Sequence, residues 1–128
     1  MPGELILIVE DNEKNLKLAR DVLQFHGFRT LEAATAEAGL ALTLAERPDL
    51  VLMDIQLPGI DGVTALGRLR ADPATAPIPV VALTAFAMKD DGQRFLAAGF
   101  DGYIVKPINI RELPGQVRQY CERSHSAG

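Results

Sequence analysis

The stretch PDLVLMDIQLPGIDG, residues 48–62, contains the pattern that best indicates the fold class of this chain. Its apolar run Leu50–Met53 does not alternate with polar residues, which is typical of a strand covered on both faces in a parallel sheet. The run ends at Asp54, and Pro58-Gly59 then predicts a turn before a helix that Asp61 can cap. The stretch is therefore one strand–turn–helix unit of an α/β fold.

Similar units lie on both sides of this one along the chain. Strands are predicted at Leu5–Val9, Phe28–Glu32, Leu50–Met53, Ile78–Leu83 and Gly102–Val105. Helices are predicted at Glu13–His26 after a cap at Asn12, at Thr35–Ala45, after Asp61, near Asp90–Ala98, and after a cap at Asn109. Pro114 lies just inside the last helix and has no N–H to donate, which predicts an irregular or late start there. The alternation predicts a doubly wound α/β fold, with a parallel five-stranded sheet between two layers of helices.

The composition indicates one soluble domain and argues against binding to nucleic acids or membranes. The chain has 128 residues, of which 48% are hydrophobic and 23% charged, and its net charge is −4, which disfavours binding to nucleic acids and anionic membranes. Cys121 is the only cysteine and is expected to be a reduced thiol in a cytoplasmic protein. No apolar run approaches the ~20 residues of a membrane span, and the N-terminus does not resemble a signal peptide. We expect a domain over residues 1–123 and a disordered tail over 124–128.

Polar side chains end four of the predicted strands, at the edge where parallel α/β sheets bind ligands. Glu10 and Asp11 follow the first strand, Asp54 the third, Thr84 the fourth and Lys106 the fifth. Each alone could be a turn, cap or surface residue. Together, three carboxylates in one pocket repel, because two charges ~4 Å apart cost about 4 kcal/mol at an effective dielectric of ~20. The cluster therefore predicts either a raised pKa or a bound cation.

A bound Mg²⁺ is the better interpretation, because Mg²⁺ prefers hard oxygen ligands and often shares its shell with a phosphate. Asp11 and Asp54 could supply carboxylates, with Glu10 acting directly or through water. The positive charge of Lys106 and the hydroxyl of Thr84 suit phosphoryl transfer to a carboxylate, with Asp54 as the nucleophile.

Four segments then carry a family resemblance. LILIVEDN (5–12), PDLVLMDIQLPGIDG (48–62), IPVVALTAFA (78–87) and GYIVKP (102–107) resemble the signature segments of response-regulator receiver domains, the CheY-like superfamily. The EDN start and the TAFAMK segment are most similar to single-domain receivers of the DivK type, which relay phosphate in bacterial cell-cycle control. The resemblance implies the flavodoxin-like (βα)5 fold with strand order 2-1-3-4-5.

The resemblance also implies roles at the acidic positions. By position, Asp54 matches the phospho-acceptor, while Glu10 and Asp11 match the acidic pair that helps to bind Mg²⁺. The backbone carbonyl of Gln56 matches a further metal ligand, at a position where the family varies and tunes the phosphoryl lifetime. The family's commonest acidic pair is Asp-Asp, so the longer Glu10 leaves direct or water-mediated contact open.

Three further positions match the family's switching and phosphate-binding residues. Thr84 matches the hydroxyl that reorients toward the phosphoryl group, and Lys106 matches the lysine that contacts it. The resemblance implies a cis peptide between Lys106 and Pro107. Tyr103 matches the aromatic residue that changes rotamer on activation.

The function implied by the resemblance is a stand-alone receiver of a two-component or phosphorelay system. Asp54 would accept phosphate from a sensor histidine kinase or a histidine phosphotransfer protein. The face formed by the fourth helix, fifth strand and last helix would then change its affinity for a downstream protein. Phe86-Ala87-Met88 could contribute to partner binding. Such a domain would be no enzyme beyond its own phosphorylation and autodephosphorylation, would need only Mg²⁺ as a cofactor, and would be a monomer or weak dimer.

Other functions fit part of the pattern. A phosphatase with an aspartyl-phosphate intermediate commonly has a second Asp two residues after the nucleophile, where this chain has Gln56. A flavin-binding module needs a phosphate-cradling loop after the first strand, where residues 10–12 would repel phosphate. A phosphorylation-independent interaction module would not need Asp54, Thr84 and Lys106. The chain could also be a fragment of a longer protein.

Overall fold

The computed structural model describes residues 3–55, 60, 62–85 and 91–126, with the backbone alone at 91–92 and 123–126. Its strands are β1 (Leu5–Val9), β2 (Arg29–Ala33), β3 (Leu50–Asp54), β4 (Val80–Thr84) and β5 (Gly102–Val105). Its helices are α1 (Glu13–Phe25), α2 (Ala36–Glu46), α3 (Gly62–Ala71), α4 (Asp91–Ala98) and α5 (Leu113–Ser126). None of these helices combines the length and apolarity that a membrane span requires.

The five strands form one parallel sheet in the order β2-β1-β3-β4-β5, which confirms the predicted fold class and strand order. In the register, Val9 lies beside Met53, Asp54 beside Leu83, and Thr84 beside Val105. Because all strands run in the same direction, their carboxyl ends share one edge of the sheet. That edge therefore receives the polar residues that follow the strands.

Two buried clusters explain why β1, β3 and β4 are apolar on both faces. Ile8, Leu52 and Leu83 belong to the cluster that packs against α1 and α5. Leu7 and Val51 belong to the opposite cluster, which packs against α2, α3 and the ring of Phe95 on α4. Successive residues of one strand thus point into different clusters. Because both clusters are buried, polar side chains are disfavoured on either face of the strand.

Local chemistry sets the element boundaries within one or two residues of those predicted. The Asn12 side chain caps α1 as predicted, accepting from the Asn15 amide at 3.1 Å. Phe28 does not begin β2, because its N–H instead donates to the Leu23 carbonyl at the end of α1. Pro79 also precedes its strand, and its carbonyl accepts from Val51 across the sheet. The predicted caps Asp61 and Asp90 lie outside the described residues.

Helix α5 starts late, as Pro114 predicts. The Asn109 side chain accepts from the backbone N–H groups of Arg111 and Glu112, at 2.9 and 3.3 Å, so it organises a turn before the helix. Pro114 is the second helical residue, a position where a missing N–H costs little. At the other end the helix continues through Ser126, so residues 124–126 are helical where the sequence predicts a disordered tail, because an established helix adds each further residue at little cost. The domain boundary at residue 123 stays a prediction.

Candidate functional site

The carboxyl edge of the sheet collects the polar residues predicted from the strand ends. Glu10 follows β1, and its backbone N–H donates to Ala33 at the end of β2, at 2.9 Å. Asp54 and Thr84 are the last residues of β3 and β4. Lys106 follows β5, and its backbone N–H donates to the Thr84 carbonyl at 2.7 Å. Backbone hydrogen bonds thus place these residues at one edge.

Three carboxylates meet there. Glu10, Asp11 and Asp54 each offer an oxygen, and the three oxygens lie within 4.8 Å of one another. Glu10 and Asp54 are 1% and 5% exposed, whereas Asp11 is open to solvent. The predicted acidic cluster therefore forms, with two buried members and one at its mouth.

Lys106 bridges the two buried acids. Its Nζ lies 2.7 Å from Asp54 Oδ2, and 2.9 and 3.1 Å from Glu10 Oε1 and Oε2. Charge-assisted hydrogen bonds of this length are among the stronger polar contacts in proteins. One ammonium therefore faces two carboxylates in a largely buried pocket.

The pKa values of Glu10 and Lys106 are both shifted by this arrangement. Burial raises the pKa of Glu10 to about 7, and the neighbouring Asp54 adds to the rise, while Lys106 and Asn15 oppose it. Burial by itself would lower the pKa of Lys106, but its hydrogen bonds to Asp54 and Glu10 outweigh burial and raise it. Among the described residues, three carboxylates thus share one lysine, and further positive charge would stabilise the cluster.

This donor set fits a hard divalent cation. All three carboxylates offer oxygen, the ligand type that Mg²⁺ prefers, and the exposed position of Asp11 leaves room for the waters that Mg²⁺ usually retains. Glu10, Asp11 and Asp54 are the described residues that would hold it. The predicted backbone ligand Gln56 lies outside the described residues.

Two supporting residues were missed by reasoning from the sequence. A Cβ on Gly62 would lie 2.8 Å from the Asp54 carbonyl oxygen, so the start of α3 packs directly on the backbone that carries the predicted acceptor. Asn15, in the first turn of α1, donates from Nδ2 to Glu10 Oε1 at 3.0 Å. For Gly62, the available sequence signal was a glycine beside a helix start. For Asn15, it was a polar residue in the first helical turn after the acidic strand end.

The predicted switch residues occupy different environments. Thr84 is buried, whereas Tyr103 on β5 is 41% exposed and its ring lies 6.1 Å from that of Phe95. The peptide between Lys106 and Pro107 is cis, as the resemblance implies. The segment Phe86-Ala87-Met88, considered for partner binding, lies outside the described residues.

Comparison with known sequences places the site in a family context. The family model for the response regulator receiver domain matches residues 6–118. The polar-differentiation response regulator DivK of Brucella anthropi is 42% identical over 115 residues, which cover 90% of this chain and 94% of that protein. The DivK protein of Brucella ovis is 41% identical over the same shares.

Solved structures give the same picture. A CheY-like response regulator receiver domain protein from Methanospirillum hungatei superposes with a TM-score of 0.88 at 31% identity, covering 98% of this chain and 99% of that one. The receiver domain of a Pseudomonas aeruginosa sensor histidine kinase has a TM-score of 0.85 at 32% identity, covering 94% and 98% of the two chains. That structure is described as having a magnesium ion coordinated in its active site cleft.

Proposed function

This chain belongs to the family of response regulator receiver domains, and on that premise we propose that Asp54 accepts a phosphoryl group from a phosphohistidine donor in a Mg²⁺-dependent reaction. The donor is a sensor histidine kinase or a histidine phosphotransfer protein, the partners that a receiver domain implies. The observation that carries the proposal is the bridge from Lys106 to Asp54 and Glu10 at the carboxyl edge of the sheet.

The transfer exchanges one bond to phosphorus for another. An oxygen of the Asp54 carboxylate forms a new P–O bond while the P–N bond of the phosphohistidine breaks. The imidazole leaves with the electron pair of that bond, and it becomes neutral because its other ring nitrogen takes up a proton from solvent. Asp54 thereby becomes an acyl phosphate.

The residues around Asp54 supply charge and hydrogen bonds to this step. Lys106 lies 2.7 Å from Asp54 Oδ2, so its ammonium is near the position that the phosphoryl oxygens would take. The buried Thr84 at the adjacent strand end offers a hydroxyl. A Mg²⁺ held by the acidic cluster would offset charge on the transferred group. The magnesium reported in the related Pseudomonas receiver supports this assignment.

We place the response on the face formed by α4, β5 and α5. β5 is the last strand in the sheet order, and its outward side chains Tyr103 and Val105 are 41% and 37% exposed. Leu96 on α4 adds a further exposed apolar side chain. Since Thr84 and Val105 are register partners, a change at the phosphorylated edge is adjacent to this face. Phosphorylation would change its affinity for a downstream protein.

The proposal is tested by phosphorylating the purified protein with acetyl phosphate and Mg²⁺ and measuring its intact mass. The wild type and the exposed-acid control Asp21→Asn should gain one phosphoryl group, whereas Asp54→Asn should not. Omission of Mg²⁺ should abolish labelling. Equal labelling of wild type and Asp54→Asn would refute the assignment of the acceptor.

Two further measurements test the remaining parts of the proposal. We propose that the chain is no enzyme beyond its own phosphorylation and dephosphorylation, so sustained turnover of a phosphomonoester would contradict this part. Pull-downs from the cytoplasm, where we propose that it works, should recover different proteins with the phosphorylated chain and with Asp54→Asn. Identical recoveries would argue for phosphorylation-independent binding.

A further inference from the structure

Asn15 connects the first turn of α1 to the acidic cluster. Its backbone N–H donates to the Asn12 side chain at 3.1 Å, which fixes the residue in the helix cap. Its side-chain amide turns back across five residues and donates from Nδ2 to Glu10 Oε1 at 3.0 Å. Asn15 is half-buried and Glu10 is almost fully buried, so this contact is partly shielded from water.

The contact determines how the Glu10 carboxylate is oriented. Oε1 accepts from Asn15 at 3.0 Å and from Lys106 at 2.9 Å, which engages both of its acceptor positions. A glutamate has one more rotatable bond than an aspartate, and each free rotor must be ordered before it can hold a ligand. Two donors on one oxygen restrict the rotation of the whole group. Oε2 accepts from the same Lys106 ammonium at 3.1 Å, the longer of the two Lys106 contacts, so Oε2 keeps more capacity to bind a cation than Oε1 does.

We propose that Asn15 is a positioning residue that orients Glu10 so that its second carboxylate oxygen serves the cation of the acidic cluster. This inference rests on the proposed function, because it assigns a residue outside the ligand set to the same Mg²⁺ site. Outer-shell hydrogen bonds of this kind orient metal-binding side chains. The length of the Glu10 side chain makes such an anchor necessary here.

A purely structural role for Asn15 makes a different prediction. If Asn15 only supported the start of α1, its replacement would act equally whatever residue stands at position 10. If it orients Glu10, its effect must depend on the glutamate. Glu10→Asp shortens the side chain by one methylene and withdraws the carboxylate from the Asn15 amide, while the acid itself is kept.

The experiment is a double-mutant cycle on Mg²⁺ affinity, measured by isothermal titration calorimetry. The four proteins are wild type, Asn15→Leu, Glu10→Asp and the double variant; leucine matches asparagine in shape and removes the donor. Asn15→Leu should weaken Mg²⁺ binding about tenfold in the wild-type background, in line with other outer-shell partners. In the Glu10→Asp background the same change should alter affinity less than about twofold.

A metal-free readout accompanies this cycle. In urea with EDTA, Asn15→Leu should lower the unfolding midpoint more in the wild-type background than in Glu10→Asp. Equal effects of Asn15→Leu in both backgrounds, in either measurement, would overturn the positioning role. If the wild type binds Mg²⁺ and is labelled on Asp54 while Asn15→Leu binds Mg²⁺ equally well, only this inference fails. If the wild type binds no Mg²⁺, both the proposed function and this inference fail.

Discussion

Replacing Lys106 by methionine should show how strongly the stability of the protein depends on the bridge from this lysine to Asp54 and Glu10. Lys106→Met keeps the length of the side chain but removes the charge that lies 2.7 Å from Asp54 and 2.9 Å from Glu10. Removal of one partner from a buried ion pair costs about 3–5 kcal/mol, since the remaining charge is left uncompensated. The Lys106 side chain is 17% exposed, so some water can replace it. We therefore expect a loss near the lower end, about 3 kcal/mol.

The size of this loss should depend on pH, in a direction that follows from Glu10. Burial raises the pKa of Glu10 from 4.5 to about 7, so the folded state disfavours its charged form. The metal-free protein therefore loses stability as pH rises from the unfolded-state pKa through the folded-state value. Without Lys106 the pKa of Glu10 rises further, because an opposing contact is gone. The variant should thus be most destabilised above neutral pH and least destabilised near pH ~5, where Glu10 is protonated.

Urea unfolding in EDTA, followed by circular dichroism near pH ~5 and pH ~8, measures this difference. The control is the double variant Glu10→Gln/Lys106→Met, which has one fewer buried acid and should recover much of the loss at the higher pH. Added Mg²⁺ should also restore stability, because it supplies the missing positive charge. A loss of less than about 0.5 kcal/mol at both pH values would refute the reasoning, since it would mean that water screens the two acids without Lys106.

Three further predictions concern packing and burial. Gly62→Ala should destabilise the protein by about 1–3 kcal/mol in urea unfolding and should slow labelling of Asp54, because the new Cβ would lie 2.8 Å from the Asp54 carbonyl oxygen. Unchanged stability and labelling would contradict this close approach. Arg70→Met should lower the free energy of unfolding by about 2 kcal/mol in the same assay, because the guanidinium donates to three backbone carbonyls and one carboxylate. These contacts join the end of α3 to the turns before β4 and β5. An unchanged free energy of unfolding would show that water replaces them. Burial raises the pKa of the Cys121 thiol to about 12. A thiol reagent at neutral pH should therefore modify Cys121 only as fast as the protein unfolds. Rapid modification of the folded protein would contradict the burial of this thiol.

Most of the fold was predictable because its signals are local. The unbroken apolar runs identify buried parallel strands, and Asn12 marks the start of α1 through its own side chain. Boundaries were less predictable where a backbone hydrogen bond or a neighbouring helix, and not the residue type, decides them. Phe28 has the composition of a strand residue, yet its N–H is held by the end of the preceding helix. The helical state of residues 124–126 likewise depends on the helix that precedes them.

The amino-acid sequence alone shows which polar residues follow or end strands, because each apolar run shows where its strand stops. These residues are Glu10, Asp11, Asp54, Thr84 and Lys106. Which of their atoms meet depends on how the chain packs in three dimensions. The contact between Lys106 and Glu10 joins residues 96 positions apart, and the contact between Asn15 and Glu10 needs a helix turn to face back onto a strand end. Both depend on rotamers and on the burial that excludes water, properties that arise only when the strands and helices pack together.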